Sequence, residues 1–217
     1  MRLGGSQRID WGRIVMVSLC TCLVLINLGA FPATLAELSG PAAAARAVGL
    51  LLTLAFYTMI VAAYLRRGRA TATSRSVPAA LAALSATALP FALPVLTSPR
   101  DGLATLVIAD VLLLAGLSWS VWSVRTLGRS LSVLAQARVL VANGPYRLVR
   151  HPLYLGELVA ALGLVLHGFT MAALLAWIVL VGLQAYRARQ EEALLSSSVA
   201  GYSEYRGETN LLIPGLI

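Results

Sequence analysis

The sequence predicts an all-α, polytopic integral membrane helix bundle, with four spans, a C-terminal helical hairpin and a short cytoplasmic helix. Three observations predict it. The chain of 217 residues is 59% hydrophobic and 12% charged, with a mean hydropathy of +0.81, too little charge to cover a soluble domain of this size. Apolar runs of the roughly 20 residues needed to cross a bilayer recur along it. All 17 basic residues are arginine, and all but Arg46, near the start of a run, lie outside these runs.

Four runs qualify as spans: 14–35, 45–65, 77–96 and 103–124. The first follows Arg2, Arg8 and Arg13. It exceeds the ~7–15 apolar residues of a signal peptide, so it is expected to be a retained anchor. The stretch 153–186 is too long for one span and carries HGFT at 167–170. It predicts a shorter helix to about Leu166, a break at Gly168 and a longer helix from about Met171, a hairpin whose first arm is short for the bilayer. The chain thus divides into 1–124, the four spans, and 125–217, a polar motif with the hairpin and a C-terminal segment.

Arginine placement orients this layout. Arg66, Arg67, Arg69 and Arg75 fall in one loop, Arg125, Arg129, Arg138, Arg147 and Arg150 in another, and Arg187, Arg189 and Arg206 after the hairpin. With the N-terminal arginines, all lie on one side, and Arg46 and Arg100 on the other. The positive-inside rule then places both termini in the cytoplasm. The absence of lysine beside abundant Ala, Arg and Gly points to a GC-rich genome and a bacterial inner membrane.

The formal charge of +8 does not make a nucleic-acid surface, because the arginines are scattered between apolar spans. They suit topology and lipid headgroups. Cys20 and Cys22, two apart on a helix, point to nearly opposite sides and do not suit a mutual disulfide. With only two histidines as further soft ligands, no metal site is expected.

Polar chemistry concentrates in GPYRLVRHPLYLGE, residues 144–157. Gly144 and Pro145 favour a turn, and Pro152 suits the first position of a helix. His151 then falls at or near the N-cap. The free N–H groups of that first turn, with Arg147 and Arg150, favour an anion. Glu157 lies one turn further in, where it could complement a cation or hydroxyl. A loop whose arginines rest among headgroups is the plainer alternative. A second group, YRARQEEALL at 186–195, places Arg187 and Glu191 at i,i+4, the spacing of a surface ion pair. The adjacent Glu191 and Glu192 suit a cation or ribose hydroxyls. Tyr202, Tyr205 and Arg206 follow, in a segment fit for an interfacial helix. Asp110 is a lone acid within the fourth span, a position that by default suggests function with a partner.

Taken together, GPYRLVRHPLYLGE and RARQEEALL…GYSEYRGETNLLIPGL resemble the C-terminal half of the isoprenylcysteine carboxyl methyltransferase and phospholipid methyltransferase superfamily. The shared pattern is G-P-Y, R-H-P-x-Y-x-G, an apolar hairpin, a glutamate pair, spaced tyrosines and a closing Pro-Gly, over residues 143–215. The family's aromatic-glycine pair is incomplete: SSSVAGY keeps Gly201 without the aromatic. The resemblance implies S-adenosyl-L-methionine as methyl donor at the cytoplasmic side. It places Tyr146, Arg150, His151, Pro152, Tyr154, Gly156, Glu191 and Glu192 at the cofactor. A lipophilic or small acceptor would then be methylated, with Glu157 or His151 as a base for an amine or thiol, and Arg187 or Arg206 to orient an anion. A membrane reductase of the sterol type, using NADPH, carries a related R-H-P-x-Y motif, but with Asn where this chain has Leu153. A non-catalytic transporter or scaffold is the remaining class, supported only by Pro90, Pro94 and Asp110.

Overall fold

The computed structural model describes residues 11–36, 41–66, 72–73, 76–98, 103–131, 136–137 and 140–213. Among the described residues the α-helices are α1 (Trp11–Ala36), α2 (Pro41–Arg66), α3 (Val77–Leu96), α4 (Leu103–Leu127), α5 (Pro152–His167), α6 (Met171–Ser198) and α7 (Tyr202–Glu208). Extended structure among the described residues is confined to β1 (Ala72–Thr73) antiparallel to β2 (Gln136–Ala137), and one parallel bridge from Val149 to Asn210. Arg2, Arg8, Arg67, Arg69, Arg75, Arg100 and Arg138, which the orientation argument uses, lie outside the described residues, as does Pro214–Gly215.

Stretches of α1, α4 and α6 are long and apolar enough to cross a membrane, while the apolar parts of α2, α3 and α5 are shorter. The sequence places spans on α1 to α4 alike, and helices form at all four. At 1.5 Å per residue, α6 with its 28 residues is about 42 Å long and must project from a core ~30 Å thick. The 16 residues of α5 reach only about 24 Å, so the short arm of the expected hairpin is present. The outer surface is apolar: Leu25, Ile26, Leu81, Val95, Val111 and Ile178 are exposed, which suits lipid rather than water.

Inside, the packing relies on small residues. A Cβ at Gly116 of α4 would run into the Ala160 backbone N and lie 2.6 Å from Gly156 O. One at Gly163 would lie 2.7 Å from both Ala109 O and Leu113 N, and one at Gly156 would strike Ser120 Oγ. Rising numbers on α5 thus meet falling numbers on α4, so the two helices run antiparallel with their backbones in contact. Where neighbouring lipid is as apolar as the helix, such close van der Waals fit is what holds helices together. On the far side of α5 lie α3 and α6, and on the far side of α4 lie α2 and then α1.

The hairpin tip is fastened to α3. Thr170 caps α6 by accepting from Ala173 N at 3.0 Å, and its hydroxyl donates to Leu96 O at 2.5 Å. Ser98 N donates to Gly168 O at 3.0 Å. Along the hairpin, Trp177 Nε1 donates to Leu158 O at 3.0 Å. Cys20 and Cys22 are free thiols, one buried and one exposed.

Candidate active site

The polar stretch 144–157 turns one end of this bundle into a site. Gly144 adopts φ +55°, and a Cβ there would lie 3.0 Å from Thr126 Oγ1. Only glycine combines that backbone with that contact. A 3-10 turn over Gly144–Arg147 follows and buries Pro145 and Tyr146. His151 occupies the N-cap of α5 with Pro152 after it, as the sequence leads one to expect, but its imidazole makes no capping bond. The ring instead faces α6, leaving the helix start to be ordered by the proline's fixed φ.

Glu192 of α6 is the hub. Its Oε1 accepts from Arg150 Nε at 3.0 Å and from Tyr202 OH at 2.5 Å, and lies 3.1 Å from His151 Nε2. Arg206 Nε lies 3.5 Å from Oε2. Glu191 accepts from Tyr154 OH and sits 3.7 Å from His151 Nδ1. His151 and Tyr154 stack with ring centres 5.3 Å apart and planes 10° from parallel. The two adjacent glutamates therefore hold opposite sides of one imidazole.

The segment after α6 closes over this hub. Gly201, at φ +77°, starts α7. Tyr205 OH donates to Tyr146 O at 2.6 Å. Arg150 donates to Arg206 O at 3.0 Å and to Thr209 O. The backbone N–H groups of Arg150 and His151 donate to Asn210 O at 2.8 Å and Leu211 O at 3.1 Å. Burial pushes the Tyr146 and Tyr202 hydroxyls well above the ordinary tyrosine range, with Glu192 adding to the effect on Tyr202, and pushes Tyr205 up to about 12. Tyr202 and Tyr205 act as neutral donors, to Glu192 and to Tyr146 O.

Two cavities flank Tyr154. The smaller, about 110 Å³, is polar on the side of Arg150, His151, Glu191 and Tyr202, and apolar on the side of Leu131, Leu140, Val141 and Leu195. The larger, about 530 Å³, runs among α1 to α5 and is lined mainly by apolar side chains, with Glu157 and Arg187 at the end near Tyr154. Gln184 joins these two: its Nε2 donates to Glu157 Oε2 at 2.6 Å and its Oε1 accepts from Arg187 Nη1 at 3.0 Å. The Arg187 guanidinium lies 4.5 Å from the centre of the Tyr154 ring, a cation–π distance. Leu131, Leu153 and Tyr154 line both cavities.

The candidate residues sort accordingly. Tyr146, Arg150, His151, Tyr154 and Glu191 line the small cavity, and Glu192 organises its wall. Glu157 and Arg187 face the large cavity instead. Gly156 lies against Ser120 of α4, and Pro152 is buried at the start of α5; both shape the wall by packing. Arg206 stands at the rim with its side chain 58% exposed, apart from Glu157 and Arg187. Gln184, fully buried, was not singled out from the sequence, although a glutamine inside an apolar helix and three residues before Arg187 was the available signal. The apolar wall residues Leu131, Leu140 and Val141 gave no signal at all.

The same stretch of chain carries a family signature. Residues 104–199 match the phospholipid methyltransferase family. The match begins with α4, takes in the 144–157 turn and the whole hairpin, and ends at Val199, so it spans both glutamates and the wall of Leu131, Leu153 and Tyr154 that the two cavities share, while α1 to α3 and α7 lie outside it. The match agrees with the superfamily resemblance that the R-H-P-x-Y-x-G motif and glutamate pair carry. It extends that resemblance backwards to include α4, whose glycine-lined face seats α5. Among curated proteins, none matches the chain. The family is one of membrane methyltransferases, in agreement with the apolar helices.

Proposed function

We propose that the chain is an S-adenosylmethionine-dependent methyltransferase of the bacterial inner membrane, working at the cytoplasmic face on a lipophilic or small acceptor. One observation carries the reading: a small polar–aromatic cavity and a large apolar cavity meet at a shared wall of Leu131, Leu153 and Tyr154. Two reactants of unlike polarity would each find a matching compartment, with their reactive ends at one boundary. Such positioning is the principal contribution an enzyme makes to a displacement reaction.

The chemistry of the lining residues suits the donor, for which the cavity of about 110 Å³ has to widen on binding. Leu131, Leu140, Val141 and Leu195 offer an apolar slot for a purine, and Glu191 offers a carboxylate for ribose hydroxyls or a positive charge. Glu192 Oε2 makes no hydrogen bond among the described residues. Tyr146 adds a further hydroxyl-bearing side chain to the lining. When bound there, S-adenosylmethionine supplies an electrophilic methyl group on a sulfonium, whose carbon–sulfur bond breaks to leave a neutral thioether.

The chain's own residues then do three things. The strap of α7 and the pairing of 149–151 with 210–211 cover one side of the small cavity and limit water there. Tyr154, held by Glu191 on one side and Arg187 on the other, sets the boundary between compartments. Arg187 orients an anionic acceptor atom, while Glu157 accepts the proton of a thiol or amine acceptor; a carboxylate acceptor needs no base. Arg206, at the rim, acts through Glu192.

The test is calorimetric titration of the purified protein with S-adenosylhomocysteine and, separately, with NADPH, repeated on His151→Ala and Glu192→Ala. The expected result is binding of S-adenosylhomocysteine that both substitutions weaken. Binding of NADPH instead would move the chain to the reductases. Binding of neither would remove the donor assignment.

A further inference from the structure

The large cavity has a second polar end that methyl transfer does not use. Asp110 of α4 and His167, the last residue of α5, line it, with Asp110 Oδ1 2.7 Å from His167 Nε2. Glu157 and His167 lie on the same helix ten residues apart, so the two polar ends are separated by about 15 Å. The rest of the lining is mainly apolar, including Phe56, Phe91, Leu113, Leu117 and Leu164, with Thr53, Tyr57 and Ser120 as further polar members. The cavity is therefore a mainly apolar channel with charged or ionisable groups at both ends.

A structural role alone would account for a clasp between α4 and α5, with His167 favoured by the carbonyl end of its helix. Two observations go beyond that. The side chains of His167 and Asp110 are 32% and 21% exposed and both line the cavity, so the pair is not sealed between the helices. The His167 contact also uses only one of the several acceptor positions that a carboxylate has. Asn27 and Thr87 line the same cavity, and each donates to a carbonyl of its own helix, Leu23 O and Ala83 O, at 2.8 Å. A wholly hydrocarbon ligand would strip water from this end without replacing its hydrogen bonds, which is costly.

Resting on the methyltransferase reading above, we infer that the acceptor is two-ended: a long apolar chain methylated at one terminus and carrying a hydroxyl at the other, held by Asp110 and His167. A hydroxyl both donates and accepts, matching a carboxylate beside an imidazole. Asp110 and His167 are then specificity-determining residues remote from the reacting atoms.

The experiment compares dodecanoic acid with ω-hydroxydodecanoic acid on the full-length protein in lipid nanodiscs, with affinities referred to the lipid-phase concentration. Binding is read by thermal stabilisation, with and without S-adenosylhomocysteine, and turnover by transfer of labelled methyl. The hydroxylated probe is expected to bind about tenfold more tightly, the worth of one hydrogen bond to a charged group. Asp110→Asn, Asp110→Leu and His167→Phe should each bring that ratio toward one, with retained S-adenosylhomocysteine binding reporting an intact fold. Equal binding of both probes, or of neither, overturns the two-ended acceptor. Loss of S-adenosylhomocysteine binding with the hydroxyl preference intact overturns the donor assignment instead, so the two readings fail separately.

Discussion

Substituting Glu192→Gln keeps the shape of the hub and removes its charge. Three groups meet at Oε1: Arg150 Nε at 3.0 Å, His151 Nε2 at 3.1 Å and Tyr202 OH at 2.5 Å. The side chains of Arg150 and Glu192 are 10% and 9% exposed, so solvent screens these contacts little. An ionised acceptor makes hydrogen bonds roughly twice as strong as a neutral one, so the three together should lose about 2–4 kcal/mol. That loss falls on the closure of α7 and residues 209–211 over the small cavity, because Arg150 ties all of them to α6. Converted at 1.4 kcal/mol per decade, donor affinity should fall by roughly 30-fold to several hundred-fold. The assay is calorimetric titration with S-adenosylhomocysteine, joined to limited proteolysis of the C-terminal segment. Glu192→Gln with donor affinity within about twofold of the parent and an equally resistant C-terminus would refute the reasoning, since the charge would then hold nothing in place.

Other outcomes follow from the same geometry. Gly116→Ala introduces a Cβ 2.6 Å from Gly156 O and 2.8 Å from Ala160 Cα. It should cost about 1–3 kcal/mol as α4 and α5 are forced apart, seen as a lowered melting temperature in nanodiscs. Tyr154→Phe keeps the ring under Arg187 but removes the hydroxyl that donates to Glu191. It should weaken S-adenosylhomocysteine binding about tenfold, leaving the melting temperature near that of the parent. Tyr205, held at about 12 against an ordinary value of 10.0, stays neutral longer in the folded chain. Its contribution is complete below pH 10 and is lost as the pH rises toward 12. Tyr205→Phe should flatten that part of the stability profile, and an unchanged profile would count against burial holding its hydroxyl neutral.

The helices and the hairpin break were legible in the sequence because their causes are local. An apolar run long enough for a bilayer has to satisfy its backbone internally, and helix is the way a single segment does so. Gly168 between two apolar runs, with Thr170 ready to cap the second, marks the turn by backbone chemistry alone. His151 at the N-cap and Pro152 after it follow from the same local rules, and the spacing of R-H-P-x-Y-x-G from the glutamate pair carried the family resemblance. Gly156 was also visible through its motif, and the fold adds its close contact with Ser120 of α4.

Tertiary structure decided what these pieces face. Which side of His151 each glutamate takes depends on where α6 returns beside α5, a contact across about forty residues that spacing alone does not set. The partner of Asp110 is His167, 57 residues away, and the two meet because α4 and α5 run antiparallel on a glycine-lined seam. Leu131, Leu140 and Val141 resemble any other apolar residues in the chain. Only the closure of α7 over the turn makes them the wall of a cavity. The sequence by itself determined that this is a helical membrane protein with a methyltransferase-like motif, because those properties reside in composition and short-range order. The division into a polar cavity and an apolar one, meeting at Tyr154, exists only once α4, α5 and α6 are packed, because a boundary between compartments is a property of surfaces that distant segments bring together.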